Sequence, residues 1–188
     1  MKNRFIIIVP FFNVEKWIKF NLASIKKQDY DNFTCVLIDD ISTDNSFNII
    51  KNFIKDDERF VLIKNEEKKL ALKNIYEGIQ IAKPSHEDVV VTLDGDDWFS
   101  SPDVLSFLND YYNKEGCWLT YGSYVEFPSG KKGKFAKQIP QHVIDSATYR
   151  QHEWCSSHLR TFKYHLWSKI KKEDSLDRDW ETLHSYRM

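Results

Sequence analysis

Three carboxylates fall within four positions, at Asp94, Asp96 and Asp97, directly after the apolar run Val89-Val90-Val91-Thr92-Leu93. Like charges packed this closely are costly unless a cation or strong hydrogen-bond donors offset them. Gly95 lets the backbone turn sharply and come close to a ligand. These residue types describe a hard, oxygen-rich site for Mg²⁺ or Mn²⁺. Few protein ligands would be used, leaving coordination positions for a diphosphate and water. A solvated turn capping the next helix is the competing reading. The strand before the acids and Trp98-Phe99 after them favour a functional site. Two other acidic-loop chemistries fail on detail. An EF-hand calcium loop beginning at Asp94 needs Glu at its twelfth position, where Leu105 stands. An aspartyl-phosphate phosphatase wants Thr or Val two residues beyond the second Asp, where Trp98 stands.

A second acidic pair, Asp39-Asp40, follows the apolar segment 33–38. A carboxylate there can accept hydrogen bonds from ribose hydroxyls or a base N–H. Pro10-Phe11-Phe12-Asn13 adds an aromatic platform and a polar tip after the first apolar run. Each pattern alone also fits an ordinary turn. Their agreement at three strand ends points to one site.

The elements that must position these residues alternate. Residues 5–9, 33–38, 60–63 and 88–93 read as strands. Residues 14–27 read as a helix, with Trp17, Ile18, Leu22 and Ile25 on one face and Asn13 as its N-cap. A second helix runs through Phe47, Ile50 and Ile54 after the turn Ser42-Thr43-Asp44-Asn45-Ser46. Residues 69–82 form a third, with Leu72, Ile75 and Ile79 aligned. The repeated β-α-β pattern predicts an α/β, Rossmann-like fold with a mostly parallel central sheet flanked by helices. Ligands then bind beyond the carboxyl ends of the strands. The second half is less regular. Residues 102–112 read as a helix, 118–125 as a strand or strand pair around Gly122, and 129–134 as a turn. The pattern over 142–160 is mixed, 162–171 reads as helical, and 171–179 as an exposed charged loop.

Bulk properties narrow the function classes. A chain of 188 residues fits one domain, and a net charge of −1 argues against a nucleic-acid binder. The aromatic content of 15%, with six Trp, can line a sugar or base pocket, although packing explains any single ring. Cys35, Cys117 and Cys155 form no CxxC pair, and the first two sit in apolar runs, so a reducing, cytoplasmic setting is expected. The start Met1-Lys2-Asn3-Arg4 followed by apolar residues mimics a signal peptide. Pro10 breaks the run and no small-residue cleavage site follows, so a buried first strand is the simpler reading. No transmembrane segment is expected; peripheral contact with a membrane is compatible with the sequence.

Four motifs keep their order and spacing: Ile6-Ile7-Ile8-Val9-Pro10-Phe11-Phe12-Asn13-Val14-Glu15, Ser24-Ile25-Lys26-Lys27-Gln28, Val36-Leu37-Ile38-Asp39-Asp40-Ile41-Ser42-Thr43-Asp44-Asn45-Ser46 and Val91-Thr92-Leu93-Asp94-Gly95-Asp96-Asp97-Trp98. Together they resemble glycosyltransferase family 2, with its nucleotide-sugar-binding GT-A fold. The likeness covers about the first 125 residues. Ser157-His158-Leu159-Arg160-Thr161-Phe162 resembles a stretch in a subset of that family that includes members encoded by large DNA viruses.

The resemblance implies a single domain over residues 1–188. Residues 1–100 would bind the nucleotide sugar and 101–188 would form a smaller acceptor-side half. Most relatives run longer, so the chain would be the N-terminal part of a longer protein. Pro10, Phe12 and Asn13 would border the base. Asp39, with Asp40 beside it, would contact base or ribose, and Lys73 or Asn74 would also reach the nucleotide. Asp94, with Gly95, would approach the ribose. Asp96 and Asp97, together with Asp94, would hold Mn²⁺ or Mg²⁺ between the phosphates. Arg160 or His158 would close over the diphosphate; Arg160 suits phosphate geometry, and His158 would alternatively be a further metal ligand. The implied reaction moves a sugar, with inversion, from a UDP-sugar to a glycan, lipid-linked or protein hydroxyl. It needs a carboxylate base in the acceptor half. The usual downstream acidic motif is not matched. Asp174, Asp179 and Glu181 are the base candidates, with Glu153 as an earlier one. Without a base, the chain would be a non-catalytic nucleotide-sugar or glycan-binding module. A nucleotidyltransferase would carry a Gly-rich phosphate loop where Pro10-Phe11-Phe12-Asn13 stands.

Overall fold

A computed structural model describes residues 1–134 and 137–170. Six strands form one sheet: β1 (Phe5–Phe11), β2 (Phe33–Asp39), β3 (Phe60–Lys64), β4 (Val89–Thr92), β5 (Leu119–Gly122) and β6 (Ser157–Lys163). Their order across the sheet is β3-β2-β1-β4-β6-β5. The first four run parallel; β6 runs antiparallel to both β4 and β5. The helices are α1 (Ile18–Lys26), α2 (Ser46–Phe53), α3 (Leu70–Ala82), α4 (Val104–Glu115) and the short α5 (Gln141–Asp145) and α6 (Tyr164–Trp167).

The sheet is covered on both faces, which is why β1 is buried at every position. Phe5, Ile7, Val9 and Phe11 face one core, shared with Ile18, Leu22 and Ile25 of α1, Ile50 of α2 and Leu105 and Leu108 of α4. Ile6 and Ile8 face the other, with Val36, Ile38, Val90 and Ile79 of α3. Pro10 sits inside a central strand because of where its nitrogen points. The Ile8 carbonyl accepts the Leu93 N–H on the β4 side, and the Phe11 carbonyl accepts the Asp40 N–H on the β2 side. Alternation along the strand puts the Pro10 nitrogen on the β4 side, past the last pair Ile8↔Thr92, where the ladder loses no bond. Cys35 and Cys155 are buried and Cys117 is partly so; burial pushes the Cys35 thiol pKa up.

The second half departs from expectation at β6. Residues 157–163 form an interior strand where a mixed pattern was expected, and within 162–170 only α6 is helical. The strand is polar because its partners are polar. The Thr161 hydroxyl lies 2.7 Å from the Tyr112 hydroxyl and 2.6 Å from that of Thr120. Buried Lys163 donates to Asn3 Oδ1 and to the Glu87 carbonyl, each at 2.8 Å. Satisfied polar groups hold an inner strand as well as apolar ones do, but they erase the apolar signature. Helix α1 also starts later than expected. It begins at Ile18, with Trp17 rather than Asn13 at its cap position.

Helix α3 lies close to the sheet at Gly78. A β-carbon there would meet Ile38 Cδ1 at 2.8 Å and Ile8 Cγ2 at 3.0 Å. Gly78→Val overpacks this layer and is expected to lower unfolding free energy by about 1–3 kcal/mol, read from urea melts; unchanged stability would show that α3 can move off the sheet freely.

Candidate active site

The carboxyl ends of β1, β2 and β4 bring their loops together on one edge of the sheet. The acidic turn after β4 is pressed onto β1. A β-carbon at Gly95 would lie 2.6 Å from Phe11 Cβ and 3.4 Å from the Pro10 carbonyl oxygen. The glycine is thus required for the packing of this turn against β1. From below, the Asn21 amide of α1 donates to the carbonyls of Asp94 (3.1 Å) and Asp97 (2.7 Å). The turn closes with Asp97 N–H donating to the Asp94 carbonyl at 3.0 Å.

Strand β6 completes the cluster, because its register sets Arg160 opposite Thr92. His158 Nε2 lies 3.4 Å from Asp94 Oδ2 and 3.9 Å from Asp97 Oδ2. One ligand atom each from Asp94, Asp97 and His158 fall within 4.8 Å of one another. Asp96, expected as a metal ligand, is exposed on the same turn and lies outside this trio. Arg160 Nη2 lies 3.1 Å from the same His158 nitrogen. Neutral, that nitrogen accepts from Arg160; protonated, it donates to Asp94. The bond to Asp94 raises the His158 pKa, against burial and the Arg160 charge. Burial, then Asp94 and Asp96, raise the Asp97 pKa, against His158 and Arg160. The His158 shift comes first from its bond to Asp94 and the Asp97 shift first from burial, with the neighbouring carboxylates adding to each. Two carboxylate oxygens and an imidazole suit a divalent cation, Mn²⁺ better than Mg²⁺ because of the nitrogen.

The β2 end separates two neighbouring carboxylates. Asp39 is fully buried; its Oδ1 accepts the Ser42 N–H at 2.8 Å, while Oδ2 is buried without a partner. Such an oxygen calls for a donor, and a nucleoside can supply one. Asp40, read from the sequence as a second nucleotide contact, has another duty. Its Oδ1 accepts the Asn65 amide and the Lys69 N–H, and its Oδ2 accepts the Leu70 N–H. Burial alone would raise its pKa, but these bonds and Asn74 hold it below the ordinary value. Asp40 therefore tethers the start of α3. Asn13, expected as a cap, adopts φ 52°, a left-handed conformation that Asn tolerates. Its Oδ1 accepts the Thr43 and Asp44 N–H groups, and its own N–H donates to Ser42, so it ties the β1 loop to the β2 loop. Phe12 is exposed at this edge with the Lys68 ammonium 3.6 Å from its ring centre. Lys73 on α3 pairs with Glu67 at 3.7 Å.

The expected base candidates Asp174, Asp179 and Glu181, and the whole loop expected over 171–179, lie outside the described residues. Glu153 is exposed and paired with Lys137 at 3.0 Å, which lowers its pKa. A cavity of about 810 Å³ lies between α4 and β5, lined by Val104, Phe107, Tyr111 and Tyr121 among others. It includes none of the strand-end acids. Sequence reading missed Asn21, a polar residue inside an amphipathic helix that only the packed turn explains.

The sheet, four parallel strands followed by the antiparallel β6 and then β5, is that of the GT-A fold. Residues 6–172 match the sequence profile of "Glycosyl transferase family 2", and the chain belongs to that family. It is 34% identical over 121 residues to the glycosyltransferase GlyG of Streptococcus pneumoniae, covering 64% of this chain and 39% of GlyG. The solved structure of S. aureus TarS 1-349 in complex with UDP-GlcNAc superposes with a TM-score of 0.66 at 19% identity, over 88% of this chain and 46% of that one. PcManGT, a mannosyltransferase of Pyrobaculum calidifontis solved with GDP-Man and Mn²⁺, gives 0.63 at 17% identity, over 93% and 50%. At these identities the structures establish the fold. The chain spans less than half the length of two of the bacterial relatives it matches, 46% of one from Haemophilus influenzae and 39% of GlyG.

The Asp94–His158 contact has a pH signature in metal-free protein. A raised His158 pKa means stability that is fully present below the unfolded value of about 6.5 and lost as pH rises through the folded value. In EDTA, the melting temperature should therefore fall from pH 6 toward pH 8, and His158→Gln should flatten that slope. An unaltered slope in the variant would remove the contact from the account.

Proposed function

We propose that this chain transfers a sugar from a nucleoside-diphosphate sugar, a UDP-sugar first among them, to a hydroxyl acceptor, with Mn²⁺ or Mg²⁺ bound and with inversion at the anomeric carbon. The observation that carries this reading is the convergence of Asp94, Asp97 and His158 at the end of β4, beside the unpartnered Asp39 oxygen at the end of β2. The molecules bound in the structural neighbours, UDP-GlcNAc in TarS and GDP-Man with Mn²⁺ in PcManGT, support it.

Each residue has a task in this reading. Asp39 accepts a hydrogen bond from the base or ribose through Oδ2. Phe12 borders the base, and Pro10 and Asn13 hold the loop that carries it. Asp94 approaches the ribose. Asp97 and His158, with Asp96 from the exposed side of the turn, hold the cation. When bound, the cation neutralises the charge that grows on the departing diphosphate. Arg160 adds a permanent positive charge with phosphate geometry beside His158. The acceptor, a glycan, lipid-linked or protein hydroxyl, gives its proton to a carboxylate on the far side of the sugar. Asp174, Asp179 and Glu181 are the proposed sources of that base. A second reading, a nucleotide-sugar-binding module without turnover, rests on Glu153 being engaged with Lys137.

The test is a donor panel with Mn²⁺ present, following release of nucleoside diphosphate. Release from one donor that stops on adding EDTA is the expected result. Asp96→Ala, Asp97→Asn and His158→Ala should each cut it by about 10–100-fold, the range for disturbing a metal's supporting groups. Release that is insensitive to EDTA and to all three substitutions would sink the metal role. Metal-dependent binding of UDP or GDP without release from any donor would favour the second reading.

A further inference from the structure

A second group of metal-ligating side chains lies at the other end of β4 from the acidic turn. His86 and Glu87 precede the amino end of β4, and His165 is on α6, just past the end of the antiparallel β6. One ligand atom each from His86, Glu87 and His165 fall within 4.8 Å of one another. The backbone around them is fixed. The Tyr164 N–H donates to the Asp88 carbonyl at 2.8 Å, and Lys163 Nζ donates to the Glu87 carbonyl at 2.8 Å. The turn over 85–88 closes with the Asp88 N–H on the Ser85 carbonyl at 3.0 Å. His165 is 8% exposed, its ring stacked on His86 at 4.8 Å and edge-on to Trp118 at 5.4 Å. Its Nδ1 is buried without a hydrogen-bond partner. A buried polar atom of this kind calls for an explanation such as an ion. The His86 and Glu87 side chains are exposed, with His86 Nδ1 2.7 Å from Glu87 Oε1.

The surrounding charges narrow the choice of ion. Buried Lys163 stands 3.8 Å from Glu87 Oε2, Arg4 pairs with Asp88 at 3.3 Å, and Lys169 rests over Trp118 at 5.9 Å. These charges offer no negative surplus to draw a hard, oxygen-seeking cation such as Mg²⁺ or Ca²⁺. Affinity must come from imidazole nitrogen, which suits Zn²⁺. Two His with one Glu is a Zn²⁺ ligand set that leaves a fourth position for water. It differs from the trio at the acidic turn by an imidazole in place of a carboxylate. The His86 bond lowers the Glu87 pKa, against burial, with Lys163 and His165 adding, so the carboxylate is ionised and able to ligate. Ligand atoms on one tetrahedral Zn²⁺ sit about 3.3 Å apart, closer than the 4.8 Å limit found here. His165 is the fixed member, and the two exposed side chains can rotate to supply the closure.

We propose that His86, Glu87 and His165 form a Zn²⁺ site that clips the loop before β4 to α6. The test is calorimetric titration of Zn²⁺ into the metal-stripped full chain carrying D97N/H158A, which removes the trio at the acidic turn from the count. Expected are one Zn²⁺ bound per chain at about pH 7.5, no heat from Mg²⁺, and a rise in melting temperature with Zn²⁺. Binding should be lost near pH 5, where the imidazoles are protonated. Adding H86Q, a change at an exposed position, should weaken Zn²⁺ binding by at least about tenfold and remove the thermal shift while circular dichroism stays the same. In the otherwise native chain H86Q should lower the number of Zn²⁺ ions bound by one, a comparison that does not depend on how the D97N/H158A background folds. H86Q alone should leave any Mn²⁺-dependent UDP binding as in wild type, which keeps this site separate from the proposed donor site. No Zn²⁺ binding in the D97N/H158A chain, or binding that H86Q leaves at the same affinity and stoichiometry, would overturn the proposal.

Discussion

A methyl group at position 95 would sit 2.6 Å from the Phe11 β-carbon, so the acidic turn lies against the end of β1 only because residue 95 is glycine. This contact sets the height of Asp94, Asp96 and Asp97 above the sheet. It also brings the turn within reach of Asn21, which binds two of its carbonyls. With the turn held from two sides, β6 can lay His158 and Arg160 alongside it by register alone. The close approach of two backbones is thus the geometric origin of the carboxylate-imidazole cluster.

The same edge shows how one sequence pattern divides into function and support. Asp39 and Asp40 are adjacent and both buried. Asp40 spends its oxygens on Asn65 and on the first N–H groups of α3. Asp39 keeps one oxygen without a protein partner. Burying an unpartnered carboxylate oxygen is unfavourable, which is why a ligand donor is the economical explanation. Asn13 makes a similar trade. It adopts a left-handed conformation and binds the β2 loop, so the Pro10-Phe11-Phe12-Asn13 platform is held by the loop that carries Asp39.

Much of this was legible in the sequence. The four parallel strands announce themselves because strands buried on both faces read as unbroken apolar runs, as at Ile6-Ile7-Ile8-Val9. The acidic turn was legible because charge crowded after such a run has few structural uses. Strand β6 was not legible. Thr161 and Lys163 are buried but hydrogen-bonded to polar partners far away in the chain, so no periodicity betrays the strand. The division of labour between Asp39 and Asp40 was equally hidden, since it depends on where α3 begins. Asp96, Asp94, Asp97 and His158 were all expected at the metal. The fold draws Asp97 toward His158 and leaves Asp96 on the exposed side of the same turn, a distinction of side-chain direction that the spacing does not carry.

The central claim is that the strand-end acids make a metal-dependent nucleotide site, and calorimetric titration of UDP into the chain tests it most directly. Run with Mn²⁺ and again after chelation, it should give saturable binding that disappears with the metal, and Asp39→Asn should weaken the binding that remains in Mn²⁺. Equal heats with and without metal, or no binding in either, would contradict the account.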